Sequence, residues 1–171
     1  MDEPIIIVDY DPQWPARYEA ERKRIVAAIG NFIDDIQHIG STAVPDLAAK
    51  PVIDILVIVP SLAQVEACVA PLQNLGYEYR GEYGIPDRHF FVKKEQGLRA
   101  FHLHMCEADH STATQCIVFR DFLRLHPVDA SAYGELKKSL ATQHGTDREG
   151  YTDAKKTFVE AILVKATLED A

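Results

Sequence analysis

Pro51-Val52-Ile53-Asp54-Ile55-Leu56-Val57-Ile58-Val59 is the stretch on which the fold turns. It is apolar on both faces except at Asp54, the pattern of a strand buried in the middle of a sheet. A carboxylate in so apolar a strand costs several kcal/mol unless it is paired, hydrogen-bonded or metal-bound. Upstream, Ile33 to Ile39 is predicted as a strand with Ile36 and His38 on one face, stopped by Gly40-Ser41. Thr42 to Lys50 is then a loop with a helical turn after Pro45. Further out, Ile5 to Val8 is a short β-branched strand, and Asp11-Pro12 breaks it. Trp14, Tyr18, Ile25 and Ile29 follow the helical period, so a helix is predicted over Pro12 to Ile29, closed by Gly30-Asn31.

Downstream, Ser61 caps a helix that runs to Leu75, with Gly76 at its C′ position. Tyr77 to Tyr83 is a strand or ribbon, and Gly84 to Asp87 a turn. Arg88 to Lys94 and Arg99 to Glu107 form a hairpin around Glu95-Gln96-Gly97. From Ser111 the pattern is helical over 112–126, 129–143 and 151–168, broken at Pro127 and near Gly145. A mixed sheet first and helices second argues α+β rather than doubly wound α/β. The expected organisation is one domain over residues 1–171, sheet-rich over 1–110 and helical over 111–171.

The chain has 171 residues, with 18 Lys and Arg against 26 Asp and Glu, a net charge of −8. A mean field of that sign repels bulk nucleic acid and anionic membranes, but leaves room for a local basic pocket. Composition excludes a disordered chain, a coiled coil, a histone-like protein and a disulfide scaffold. Cys68, Cys106 and Cys116 form no CxxC pair and are expected as reduced thiols. Met1-Asp2-Glu3-Pro4 is acidic where a signal peptide needs positive charge. No apolar run approaches the roughly 18 residues of a membrane helix. A soluble, cytoplasmic protein is the expectation.

Three constellations carry candidate chemistry. In the first, Gly40-Ser41 ends one strand and Asp54 stands in the next. Glycine lets a phosphate approach the backbone, and Ser41 offers a hydroxyl. Asp54 suits a hard cation such as Mg²⁺. The alternative is a tight turn with a buried Asp bonded to backbone. In the second, Phe101-His102-Leu103-His104-Met105 places both imidazoles on one sheet face. They can ligate a metal, bind phosphate or act as a base, or form a plain polar face. Arg88 and His89 lie on the partner strand, and only one of these neighbours can point into the same cleft. The third is basic: Lys50, Arg88, Arg120, Arg124 and Lys155. Arg120 and Arg124, like Tyr151 and Lys155, are spaced i, i+4 on one helix face. They mark either a phosphate pocket or ordinary surface ion pairs.

The run His38-Ile39-Gly40-Ser41-Thr42-Ala43-Val44-Pro45 and the run Leu47-Ala48-Ala49-Lys50-Pro51-Val52-Ile53-Asp54-Ile55 resemble the GrpB family signature. Tyr10-Asp11-Pro12-Gln13-Trp14, His102-Leu103-His104, Phe119 to Arg124, His126-Pro127, Asp147-Arg148-Glu149 and Tyr151 to Lys155 extend the resemblance over nearly the whole chain. That family is similar in fold to the nucleotidyltransferase superfamily, and relatives occur fused to dephospho-CoA kinase. The resemblance thus implies nucleotide or coenzyme A metabolism. The superfamily pattern is a Gly-Ser turn, then a strand bearing Asp-x-Asp, then a third carboxylate on a later strand, together holding metal ions. Gly40, Ser41 and Asp54 match it. Leu56 stands where the second Asp belongs, and the later strand offers His102 and His104 instead.

The expected fold is therefore a nucleotidyltransferase-like α+β domain: a mixed, mostly antiparallel sheet, helices on one face, and a C-terminal helical segment. Asp54, His102 and His104 would floor a pocket on the open face. Gly40, Ser41 and Thr42 would form one rim, and Arg120, Arg124, Tyr151 and Lys155 the other. Lys50, Arg88 and His89 complete the candidate phosphate contacts. Three functions follow. One is metal-dependent nucleotidyl transfer, with Mg²⁺ or another divalent cation on Asp54, His102 and His104. Another is a non-catalytic module that binds a nucleotide or coenzyme A. The last is a Zn²⁺ hydrolase built on those three residues and His89.

Overall fold

In the computed structural model, residues 3–171 are described; Met1 and Asp2, the start of the acidic N-terminus, lie outside them. The apolar run forms β2 (Ile53–Ile58), flanked by β1 (Asp35–Ile39) and β5 (Leu98–Cys106). With β3 (Tyr77–Tyr79) and β4 (His89–Glu95), these make a five-stranded sheet of order β1-β2-β5-β4-β3. Among the described residues, only the central pair, β2 and β5, is parallel. The sheet is thus mixed and mostly antiparallel, as the order of elements predicts. Gln96 and Gly97, both at positive φ, close the β4–β5 hairpin.

Two helices cover one face of the sheet. In α1 (Trp14–Ile29), Trp14, Ile25 and Ile29 are buried; in α2 (Val65–Asn74), Val65, Cys68 and Leu72 are. They pack on Ile53, Ile55, Val57, Phe91, Leu103 and Met105 in one apolar cluster. Each such side chain contributes about 1.5–3 kcal/mol on burial. A charged network sits inside this layer. Glu21 of α1 accepts hydrogen bonds from Tyr77 Oη (2.9 Å) and Lys93 Nζ (2.8 Å), tying the helix to β3 and β4. The Ser61 hydroxyl accepts from Ala63 N–H and caps a short 3-10 turn that opens α2.

The other face is only partly covered. Helix α3 (Ser111–Leu125) lays Ala113, Cys116 and Ile117 on Ile39, Leu56, Ile58 and Cys106. Helices α4 (Pro127–His144) and α5 (Arg148–Glu169) join α3 in a second core with Val44 and Leu47 of the loop before β2. Pro127 breaks α3 from α4 by serving as the first residue of α4, where its missing N–H is harmless.

Three local expectations change. The helical turn expected after Pro45 comes before it, at Ser41–Ala43. Ile5 to Val8 makes no strand; Val8 exchanges one bridge with Ala49, while Ile5 packs on Leu140 and Tyr151. Side-chain anchoring, not a ladder, holds that segment. The Tyr77 to Tyr83 strand stops at Tyr79, because Gly81, Tyr83 and Gly84 turn the chain through positive φ. All three cysteines are free thiols. Among the described residues, no helix is long and apolar enough to cross a membrane.

Candidate functional site

Asp54 pairs with His102 across β2 and β5, and Leu56 pairs with His104. Parallel register puts all four on the face away from α1 and α2. The carboxylate Oδ1 of Asp54 lies 3.4 Å from His104 Nε2 and 3.6 Å from His102 Nδ1. The first is a long hydrogen bond; the second is an electrostatic approach without one. Burial works to raise the Asp54 pKa, but the two imidazoles outweigh it and hold the carboxyl far below the usual carboxylate range.

The Gly40 turn fits around this carboxylate. Gly40 adopts φ 75° and ψ −174°, and a Cβ there would stand 2.6 Å from Asp54 Oδ2. Its missing side chain makes room for Asp54 itself. The turn continues as a 3-10 segment over Ser41–Ala43, in which Thr42 Oγ1 bonds His38 Nε2 at 2.9 Å.

Arg88 settles the state of His104. Its Nη1 lies 2.9 Å from His104 Nδ1. A guanidinium only donates, so Nδ1 accepts and the ring proton sits on Nε2, aimed at Asp54. The Arg88 Nη2 also donates to the carbonyls of Glu82 and Tyr83, pinning that loop to the floor.

These groups open into one cavity of about 880 Å³. Six Lys and Arg border it (Lys50, Arg88, Arg99, Lys137, Arg148, Lys155), against the three carboxylates of Asp54, Glu149 and Asp153. Lys50 and Lys155 place their ammonium groups 5.1 and 4.5 Å from the Tyr151 ring centre. Lys137 stands 4.6 Å from that of Tyr133. Burial first, then the neighbouring lysines, push the Lys137 pKa down to about 6 and that of Lys155 to about 8. Lys137 Nζ, Tyr151 Oη, His102 Nε2 and Arg88 Nε are buried without a hydrogen-bond partner.

Of the residues singled out in the sequence, Ser41, Thr42, Lys50, Asp54, Arg88, His102, His104, Tyr151 and Lys155 border this cavity. Gly40 lies directly behind Asp54. Three do not take the expected place. His89 points to the opposite face, where its Nδ1 bonds Tyr79 Oη at 2.6 Å, because strand alternation sends Phe90 to the cavity side. Arg120 donates to Gln37 and to the His38 carbonyl, and Arg124 to the Ala43 carbonyl. Both brace the rim from behind and are absent from the cavity wall. Lys137, Arg99 and Arg148 were not anticipated. Arg148, Tyr151, Thr152 and Lys155 fall at i, i+3, i+4 and i+7 of α5, a helix-face signal present in the sequence. Lys137 lies in Glu135-Leu136-Lys137-Lys138, which has the look of a solvated stretch.

The donor set does not fit the metal centre of the superfamily pattern. Leu56, fully buried, replaces the second carboxylate, and the later strand supplies imidazoles. The lone pair of His104 Nδ1 is taken by Arg88, and His89 is on the wrong face for the zinc set. Among the described residues, no group of three or more His, Cys, Asp or Glu is arranged to hold a metal ion.

Fold and floor together give a nucleotidyltransferase-like fold with one aspartate on the sheet floor and a basic wall. The chain belongs to the GrpB family, whose pattern, described as GrpB protein, matches residues 4–165. It is 41% identical over 168 residues to a UPF0157 protein of Pseudomonas aeruginosa, covering 96% of this chain and 69% of that one. The crystal structure of the conserved protein GrpB from Enterococcus faecalis matches with a TM-score of 0.88 at 34% identity, over 96% of this chain and 98% of that chain. Terminal uridylyl transferase 4 from Trypanosoma brucei with bound UTP has a TM-score of 0.52 at 12% identity, over 91% of this chain and 51% of that one, a likeness of fold. A dephospho-CoA kinase of Mycolicibacterium paratuberculosis is 43% identical over 180 residues; the match covers 91% of this chain but only 44% of that protein.

Proposed function

We propose that the cavity over Asp54, His102 and His104 binds a phosphorylated ligand of the nucleotide or coenzyme A kind, and that the chain acts as a binding module. The observation that carries this is the wall of six Lys and Arg against three carboxylates, in a chain of net charge −8. Gathering cations around one cavity of an acidic protein is costly in self-repulsion, and an anionic ligand relieves it. Ser41 and Thr42 add hydroxyls at the rim.

A nucleotide is favoured over a simple sugar phosphate by the aromatic pair beside Arg88. Tyr83, 56% exposed, stacks on Phe90 at 5.3 Å, and both border the cavity. An exposed aromatic face accepts a planar heterocycle. The fold likeness to a transferase with bound UTP, and the dephospho-CoA kinase relative, agree with this ligand class. Nucleotidyl transfer is the weaker reading, since Leu56 removes one metal ligand and the imidazoles occupy Asp54.

Calorimetric titration with ATP, CTP, GTP, UTP, coenzyme A and inorganic tripolyphosphate tests the proposal. Saturable binding of at least one, weakened in Arg148→Ala, is expected. Absence of binding across the panel would sink it. Pyrophosphate release above the level of Asp54→Ala would replace the module by an enzyme.

A further inference from the structure

Asp54 stands where the superfamily pattern puts a metal-bound aspartate, yet its Oδ1 faces the ring nitrogens of two histidines. The His104 ring is locked by Arg88 in the tautomer that donates to Asp54. Positive charge is supplied elsewhere in the same cavity. Lys50 comes from the loop before β2, Lys137 from α4 and Lys155 from α5. Lys137 is 2% exposed, and its Nζ has no hydrogen-bond partner. A buried ammonium without a partner is costly, and two further lysines beside it add repulsion. The hydrophobic core does not need this lysine. A methionine would fill the same space without the penalty.

Resting on the phosphate-ligand reading above, we infer that Lys50, Lys137 and Lys155 take the place of divalent cations in this pocket, so that it binds a ligand bearing two or more linked phosphates without metal. Three ammonium groups match the charge that linked phosphates carry near neutral pH. A single phosphate would leave part of the cluster unpaired. The depressed pKa values of Lys137 and Lys155 reflect the missing partner: burial, with Lys50 as a like-charged neighbour of both and Lys155 as a second one of Lys137, opposes the charge, and only Asp54 favours it. Phosphate oxygens would restore full protonation.

The test uses the full chain with inorganic tripolyphosphate and orthophosphate, in EDTA and then with Mg²⁺. Tripolyphosphate is expected to bind in EDTA at least tenfold more tightly than orthophosphate. Lys137→Met is expected to do two opposite things: raise the Tm of the free protein, and weaken tripolyphosphate by roughly tenfold to a hundredfold, the loss of one charge-assisted contact. Lys155→Met, on a less buried side chain, should weaken it similarly and carries the test should Lys137→Met not fold. Binding that appears only with Mg²⁺ overturns the inference while leaving the phosphate reading intact. Unchanged affinity in both lysine variants also overturns it. Failure of every phosphate compound to bind removes the reading beneath it as well.

Discussion

Gly40→Ala tests whether the turn is shaped around Asp54. Two costs add. At φ 75° and ψ −174° an L-residue sits in a region essentially reserved for glycine, a strain of about 1–3 kcal/mol. The new Cβ also meets Asp54 Oδ2 at 2.6 Å, Cβ at 3.0 Å and Cγ at 3.1 Å. Overpacking of that kind costs about 1–3 kcal/mol. Reduced freedom of the unfolded chain returns about 0.4–1 kcal/mol. The net loss is about 1–5.5 kcal/mol. Urea unfolding followed by Trp14 fluorescence measures it, with the slope checked for constancy. The same substitution in Asp54→Ala removes the Oδ2 and Cγ contacts and leaves only the Cβ approach. Its cost there should be about 1–2 kcal/mol smaller. An identical loss in both backgrounds would refute the claim that Gly40 is required by the carboxylate. A loss below about 1 kcal/mol in the parent would refute the backbone argument too.

Glu21→Ala should destabilise by about 3–5 kcal/mol, because Lys93 is left buried without its partner, and Glu21→Gln by less; urea midpoints decide. His38 is held neutral by burial, its pKa lowered from 6.5 to about 4. The unfolded chain binds the extra proton first, so stability should fall as pH drops through that window. His38→Gln should flatten that limb in urea midpoints taken across the range, and an unchanged limb would contradict it. Arg124→Ala should lose about 0.5–1.5 kcal/mol with the bond to the Ala43 carbonyl, while tripolyphosphate affinity changes by less than roughly twofold. A large affinity loss there would return Arg124 to the cavity wall.

Much of the sheet was legible because the signals were local. Eight of the nine residues from Pro51 to Val59 are apolar, around one aspartate, and that pattern gave β2 its place inside the sheet. Alternation in Phe101 to Met105 placed His102 and His104 on one face. Their approach to Asp54 depends on register between strands distant in the chain, which no local pattern specifies. The same alternation settles Arg88 against His89, but only once the turn before β4 is known. Arg120 and Arg124 misled because i, i+4 spacing defines a helix face without saying what lies opposite it. Lys137 was invisible for the converse reason: its environment is made by α5 and the loop before β2, while its own neighbours in sequence are polar.

The one parallel pairing bears on how the site comes into being. Asp54 and His104 are 50 residues apart in the chain. Strands β4 and β5 are joined by a tight turn and can zip together locally, whereas β2 must wait for β5 to be delivered across the sheet. Loop closure of that span is entropically unfavourable until the contacts it permits have formed. During synthesis, Asp54 therefore emerges long before either imidazole that will face it. The floor of the cavity is expected to assemble late, only once β5 has paired with β2 and given α1 and α2 the surface on which they pack, and the lysines of α4 and α5 arrive later still.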